Sequence, residues 1–238
     1  MKKFVLLILA IIIWRAKIWL TGIIIKISFV KNLIDTHDWI ENSDIIQISM
    51  LIIALLLIYF IGKGKFADFG FRFAKIKIIL KAFFTAFWIA LVMFILNAIS
   101  IRITGMPEGT GKGPLTDSIL KNIIMIWILA SIIEEIFYRG FLQTFLNPLK
   151  DIGLKLGKIY LSLPIIAAAI MFGLMHFCLL GMMPDRMVYF IIVNAFVLGL
   201  IAGYYREKTG SLIPAYLVHL AFNIVGMLPQ IIMTTMKG

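Results

Sequence analysis

Residues 45–61 and 82–101 contain no charged side chain. Each approaches the length of the roughly 20-residue helix that crosses a bilayer. Lipid offers backbone amides no partner, so such stretches are stable only as helices that satisfy their own hydrogen bonds. Comparable apolar runs occur at 4–13 and 18–30, at about 118–146, at about 159–180, at 187–205 and from 212 to about 234. Hydrophobic residues make up 62% of the chain and charged residues 15%, against about 45–50% and about 25% in a soluble domain. The 238 residues therefore predict an all-α fold, a polytopic transmembrane helical bundle of about seven or eight helices. Residues 1–117 read as N-terminal spans with their connections, and 118–238 as the helical core that carries the chemistry.

The N-terminus begins with two lysines and an apolar run, as a signal peptide does. It lacks a small-residue cleavage site and continues through Arg15 and Lys17 into further apolar sequence, so it reads as an uncleaved first helix. Arg15 and Lys17 are expected to snorkel toward the interface. Pro148 is expected to end the fourth span, and Pro164 to kink the fifth. The connections at 62–81, 147–158 and 206–208 are basic, and those at 31–44, 102–117 and 181–186 are acidic or neutral. This alternation places the N-terminus in the cytoplasm of a multi-pass protein of the cell membrane.

The net charge of +11 belongs to those connections and to anionic headgroups, so membrane lipids are the expected partners. No basic stretch is interleaved with aromatic residues for base stacking, which argues against nucleic acid. The one cysteine, Cys178, excludes an intrachain disulfide framework. No internal repeat is evident, which weighs against an inverted-repeat transporter.

Against this apolar background a few polar groups stand out. Glu134, Glu135 and Arg139 interrupt the fourth span. On a helix Glu135 and Arg139 face one another, while Glu134 points about 100° away. The expectation is a structural Glu135–Arg139 ion pair with Glu134 left free for chemistry. His176 lies in the fifth span, with Phe172 one turn earlier, and His219 and Asn223 lie one turn apart in the last. His37, in the acidic connection, reads as solvated.

Each feature alone has an ordinary explanation as a helix staple, a packed histidine or an interhelical amide. Together, on three helices, they are cheapest when they converge on one wet cavity. At about 1.5 Å per residue, Glu134 lies roughly 20 Å from the basic end of its helix and Asn223 a similar distance from Gly210, but His176 comes out at about 27 Å from Lys158.

A carboxylate and a histidine that share a water can deprotonate it for attack on an amide carbonyl. A second histidine and an asparagine can stabilise the oxyanion. Other protease logics fit poorly: the chain has no His-Glu-x-x-His pair and no Gly-x-Ser-x-Gly elbow. Cys178 faces away from His176 on a helix, which disfavours a Cys–His dyad. Glu134, His176 and His219 are also an acceptable ligand set for a divalent metal such as zinc. The metal-free reading, with no cofactor required, is preferred.

Glu-Glu-x-x-x-Arg at 134–139, Phe-x-x-x-His at 172–176 and His-x-x-x-Asn at 219–223, in this order on successive helices, resemble the CPBP family of intramembrane proteases. That family, also called Abi, comprises CAAX prenyl endopeptidases and bacteriocin-processing or immunity proteins. The resemblance spans about half the chain and implies that Glu134 activates water with help from His176. His219 and Asn223 would stabilise the oxyanion, with Glu135, Arg139 and Phe172 supporting. It further implies a membrane-associated or lipidated (CAAX-type) peptide or protein substrate and, in some relatives, a regulatory membrane partner.

The leading expectation is thus a glutamate-type intramembrane endopeptidase. A non-catalytic membrane regulator or bacteriocin-immunity protein of the same family is the second reading. A proton-coupled transporter is the third.

Overall fold

The computed structural model describes residues 2–37, 39–104 and 118–228. Most of the expected 102–117 connection, Pro229 and the C-terminal end lie outside these residues. Among the described residues eight helices dominate. They are α1 (Lys2–Ile24), α2 (Ser28–Thr36), α3 (Asn42–Ile61) and α4 (Ile76–Thr104), then α5 (119–145), α6 (Leu163–Met175), α7 (Asp185–Thr209) and α8 (Leu212–Gly226). The all-α expectation holds, with one small β-hairpin added. Helices α1, α3, α4 and α7 are long and apolar enough to cross a membrane, while α6 and α8 are shorter apolar helices.

The central rod is α5. Phe137, Tyr138, Arg139, Phe141 and Leu142 have essentially no accessible surface, because α3, α6, α7 and α8 all pack around them. Backbone angles stay helical through every junction of α5. Its turns widen to an i→i+5 pattern over Ile123–Ala130 and Ile136–Leu142, on both sides of the acidic pair. Such widened turns recur at functional sites because they re-aim side chains and expose carbonyls.

The outer helices are locked to this rod by polar contacts. On α1, Trp14 Nε1 donates to Tyr138 Oη at 3.1 Å, and Tyr138 Oη donates to Met175 Sδ at 3.1 Å. Arg15 is exposed. Lys17 corrects the expectation that it snorkels. It is 4% exposed and turned inward, because its helix face is the one that meets α3 and α5. Helix α3 starts with a capping box in which the Glu41 backbone N–H donates to Asp44 Oδ2 at 2.9 Å. Glu41 also pairs with Lys121 Nζ at 2.6 Å, which ties the starts of α3 and α5 together. Residues 31–44, expected as a loop, include most of α2, which has no buried residue. In the same stretch His37 is exposed.

The largest departure lies at 150–163, expected as a basic loop followed by the start of a span. Strands β1 (Gly153–Leu156) and β2 (Ile159–Ser162) instead form an antiparallel hairpin with Leu156 opposite Ile159. Gly157 opens its two-residue turn with φ +60°, the conformation that primed hairpin turns demand and glycine supplies without strain. Ser162 Oγ then caps α6 by accepting from the Ile165 N–H, and it donates to Glu207 at 2.6 Å. Pro164 therefore sits in the first turn of α6, where its missing N–H costs nothing, and does not kink a span. Counted from Leu163, His176 lies about 20 Å along its helix. That is the depth expected for Glu134, so the mismatch in depth disappears.

All three basic connections gather at one end of the bundle. Arg72 Nε donates to the Gly210 carbonyl at 2.7 Å, Arg206 Nη2 to the Asp68 carbonyl at 3.0 Å, and the Leu212 N–H to the Gly70 carbonyl at 2.9 Å. Asn147 and Lys150 line the same crevice as Arg72 and Arg206.

Candidate active site

The polar side chains inside the bundle form a chain of contacts centred on α5. Glu135 Oε1 accepts from Arg139 Nη1 at 2.8 Å and lies 2.9 Å from His219 Nδ1 of α8. Glu135 is 1% exposed and Arg139 0%. A carboxylate paired with a guanidinium only accepts hydrogen bonds, so Nδ1 of His219 carries the proton. Its other nitrogen, Nε2, faces Glu134 Oε2 at 3.7 Å. The second oxygen of Glu134 accepts from Gln47 Nε2 of α3 at 2.9 Å. Thus His219 stands between two adjacent carboxylates, one paired with Arg139 through Oε1 and the other held by a single amide.

His176 ends α6, where its Nδ1 lies 3.0 Å from the Phe172 carbonyl. That carbonyl can only accept, so Nδ1 again bears the proton and Nε2 is left as an acceptor in the neutral ring. Phe172 touches both imidazoles edge to face, with centroids 5.3 Å from His176 and 5.6 Å from His219. The Arg139 guanidinium lies 4.6 Å from the Phe172 ring centre. Phe172 is thereby a wall that sets the angle between the two histidines.

Asn223 points back at α5. Its Nδ2 donates to Ser131 Oγ at 2.8 Å and to the Ile126 carbonyl, in the first widened stretch, at 3.3 Å. Phe172, His176, His219 and Asn223 line a half-open cavity of about 170 Å³, together with Phe94, Asn194 and Leu198 among others. This space holds a few waters or a side chain. Glu134 does not line it. It lies behind, within electrostatic reach of His176 and nearest to His219. The sequence motifs assign no catalytic role to three residues near this cavity and chain: Gln47, Asn194 and Ser131. For the first two a signal exists, since each is an isolated amide in an otherwise apolar span.

The metal-ligand alternative of Glu134, His176 and His219 does not fit this geometry. Among the described residues no three His, Cys, Asp or Glu side chains are grouped to hold an ion. No step below is routed through a metal.

Residues 116–225 match the family described as Type II CAAX prenyl endopeptidase Rce1-like. Comparisons with curated proteins and with solved structures found no match. The matched segment is just under half of the chain and runs from the start of α5 almost to the end of α8, so it holds every residue of the three motifs but neither Gln47 nor Lys17. With four long apolar helices besides, this is a membrane protein. The match over residues 116–225, which holds all three motifs, is consistent with the CPBP group of intramembrane proteases.

Proposed function

We propose that the protein is an intramembrane endopeptidase in which Glu134 activates the attacking water. The observation that carries this reading is the relay Glu135–His219–Glu134, with contacts of 2.9 and 3.7 Å. Glu134 takes a proton from water as its oxygen bonds to the scissile carbonyl carbon. His176 Nε2, the free acceptor, orients that water. The proton passes to His219 Nε2, and the imidazolium so formed is stabilised at Nδ1 by Glu135. His219 then donates to the oxyanion and finally to the leaving nitrogen as the C–N bond breaks. Asn223 joins the oxyanion contact when it releases its bond to Ser131 or Ile126. Glu135 and Arg139 support the relay and touch no substrate.

The substrate on this reading is a membrane-associated peptide or protein with a lipidated, CAAX-type C-terminus, presented at the basic, cytoplasmic end of a cell-membrane protein. The reaction uses no cofactor. The test is cleavage of an internally quenched farnesylated peptide by the full chain in lipid nanodiscs. Activity should vanish in Glu134→Ala and His176→Ala, and full activity in both would end the proposal.

Two features favour the second reading, a non-catalytic regulator or immunity protein that works through a membrane partner. The cavity is small, and the Asn223 amide is occupied by α5. On that reading the Glu134→Gln protein still protects or signals in cells.

A further inference from the structure

Among the described residues, four charged side chains are buried in the middle of the bundle, away from helix ends: Glu134, Glu135 and Arg139 of α5, and Lys17 of α1. The other buried charges, Asp44, Lys121 and Arg206, sit in terminal turns. Arg139 and Glu135 neutralise one another at 2.8 Å. Of the four, one anion, Glu134, and one cation, Lys17, remain.

Lys17 Nζ is held by groups that carry no net charge. It lies 3.3 Å from Met50 Sδ and 3.5 Å from Met175 Sδ, and 4.8 and 5.4 Å from the ring centres of Phe137 and Tyr138. Thioethers and ring faces orient an ammonium but leave its charge uncompensated. A lysine kept in such a place is costly unless its charge is used.

The register of this cage is informative. Met50 follows Gln47 by one turn of α3, Phe137 and Tyr138 follow Glu134 by one turn of α5, and Met175 adjoins His176. The ammonium therefore lies about one helical turn from the carboxylate that Gln47 orients. The other titratable groups around Glu134 do not replace it. Glu135 and Arg139 pair with one another, Tyr138 is tied to Trp14 and Met175, His219 Nδ1 is taken by Glu135, His176 Nδ1 by the Phe172 carbonyl, and Cys178 is exposed.

We infer that Lys17 is a positioning residue for the active site: its caged ammonium, contributed by a helix outside the family-matched segment, holds Glu134 as the carboxylate that accepts a proton from water. This deepens the proposed role of Glu134 and rests on it for its meaning, but it has its own test.

Dicyclohexylcarbodiimide is lipid-soluble and couples to a carboxyl group in its protonated form. The full chain in nanodiscs is treated with it at neutral pH, and adducts on Glu134 and Glu135 are quantified separately by mass spectrometry. Lys17→Met keeps the bulk and removes the charge, and should raise the Glu134 adduct about tenfold, as expected when a nearby opposite charge is withdrawn. Lys17→Arg restores the charge and should return the yield to the wild-type level. Glu135, held by Arg139, should stay unmodified throughout. If Lys17→Met is not monodisperse, Lys17→Gln replaces it with the same expectation. Equal Glu134 labelling in wild type and the neutral variant, or a rise in Lys17→Arg as large as in Lys17→Met, overturns the inference. The readout needs no substrate. A protein that shows the charge-dependent labelling yet cleaves nothing keeps this inference and loses the protease reading, and the converse result does the opposite.

Discussion

Two faces of α5 differ in how they treat a carboxylate. On the face turned to α6–α8, Glu135 is buried and charge-paired: an arginine at 2.8 Å and a histidine at 2.9 Å both meet its Oε1, while its buried Oε2 has no partner among the described residues. On the face turned to α3, its sequence neighbour Glu134 has one amide at 2.9 Å and a histidine at 3.7 Å. The first arrangement resists change because every shift breaks a charged contact. The second leaves a carboxylate with capacity to spare, which a catalytic base requires. Adjacent residues on one helix thus meet different surroundings, and among the described residues His219 lies near both, at 2.9 Å from Glu135 and 3.7 Å from Glu134.

The sharpest way to break this contrast is to remove one side of the Glu135–Arg139 pair. Arg139→Met leaves the Glu135 carboxylate buried without its cation, and truncating one partner of such a pair costs about 3–5 kcal/mol. The variant should lose most of its thermal stability in detergent, measured by the unfolding midpoint, and lose activity with it. Glu134→Gln is the complementary experiment. The new amide still accepts from Gln47, so the unfolding midpoint should stay near wild type, while kcat for the quenched peptide should fall by about 10²–10⁴-fold. If both variants lose stability equally, the two faces are not distinct.

Part of the contrast is legible in the amino-acid sequence. The four-residue spacing of Glu135 and Arg139 is a local property of any helix, and so is the divergence of Glu134. What spacing cannot supply is how one helix is rotated against another. Lys17 and Gln47 each sit on a helix with apolar residues on every side, so periodicity does not say which face turns inward. The hairpin is hidden for a different reason. Ile159, Leu161 and Leu163 read as the start of a membrane span, and that apolar run outweighs the turn at Gly157. Only the Ser162 cap, which depends on Glu207 nearly fifty residues later, shows where α6 begins.

A smaller effect tests whether the charge-paired face depends on close helix packing. A Cβ at Gly199 of α7 would fall 2.8 Å from Ala169 of α6 and 3.0 Å from Arg139 Nη2. Gly199→Ala must therefore move α7 away from α6 or displace the guanidinium. Overpacking of this kind costs about 1–3 kcal/mol. The unfolding midpoint should drop by less than in Arg139→Met, and combining the two substitutions should give less than the sum, since they share the Arg139 contact. Strict additivity would show that Gly199 matters only for the backbone.

The smallest change is expected from Gln47→Leu, and it bears most directly on the open face. Gln47 donates to Glu134 from a helix outside the family-matched segment. Without it, Glu134 keeps its charge but loses the contact that fixes one oxygen, so the other need no longer point at His219 Nε2. Losing a hydrogen bond to a charged group is worth about 1.5–3 kcal/mol at most, and part of that is recovered when the carboxylate finds a water. A fall in kcat of about tenfold, with KM unchanged, is the expected result. A KM effect with kcat intact would place Gln47 in substrate binding instead. A loss as large as that of Glu134→Gln would mean that the open face is as tightly specified as the closed one, and that the freedom ascribed to Glu134 does not exist.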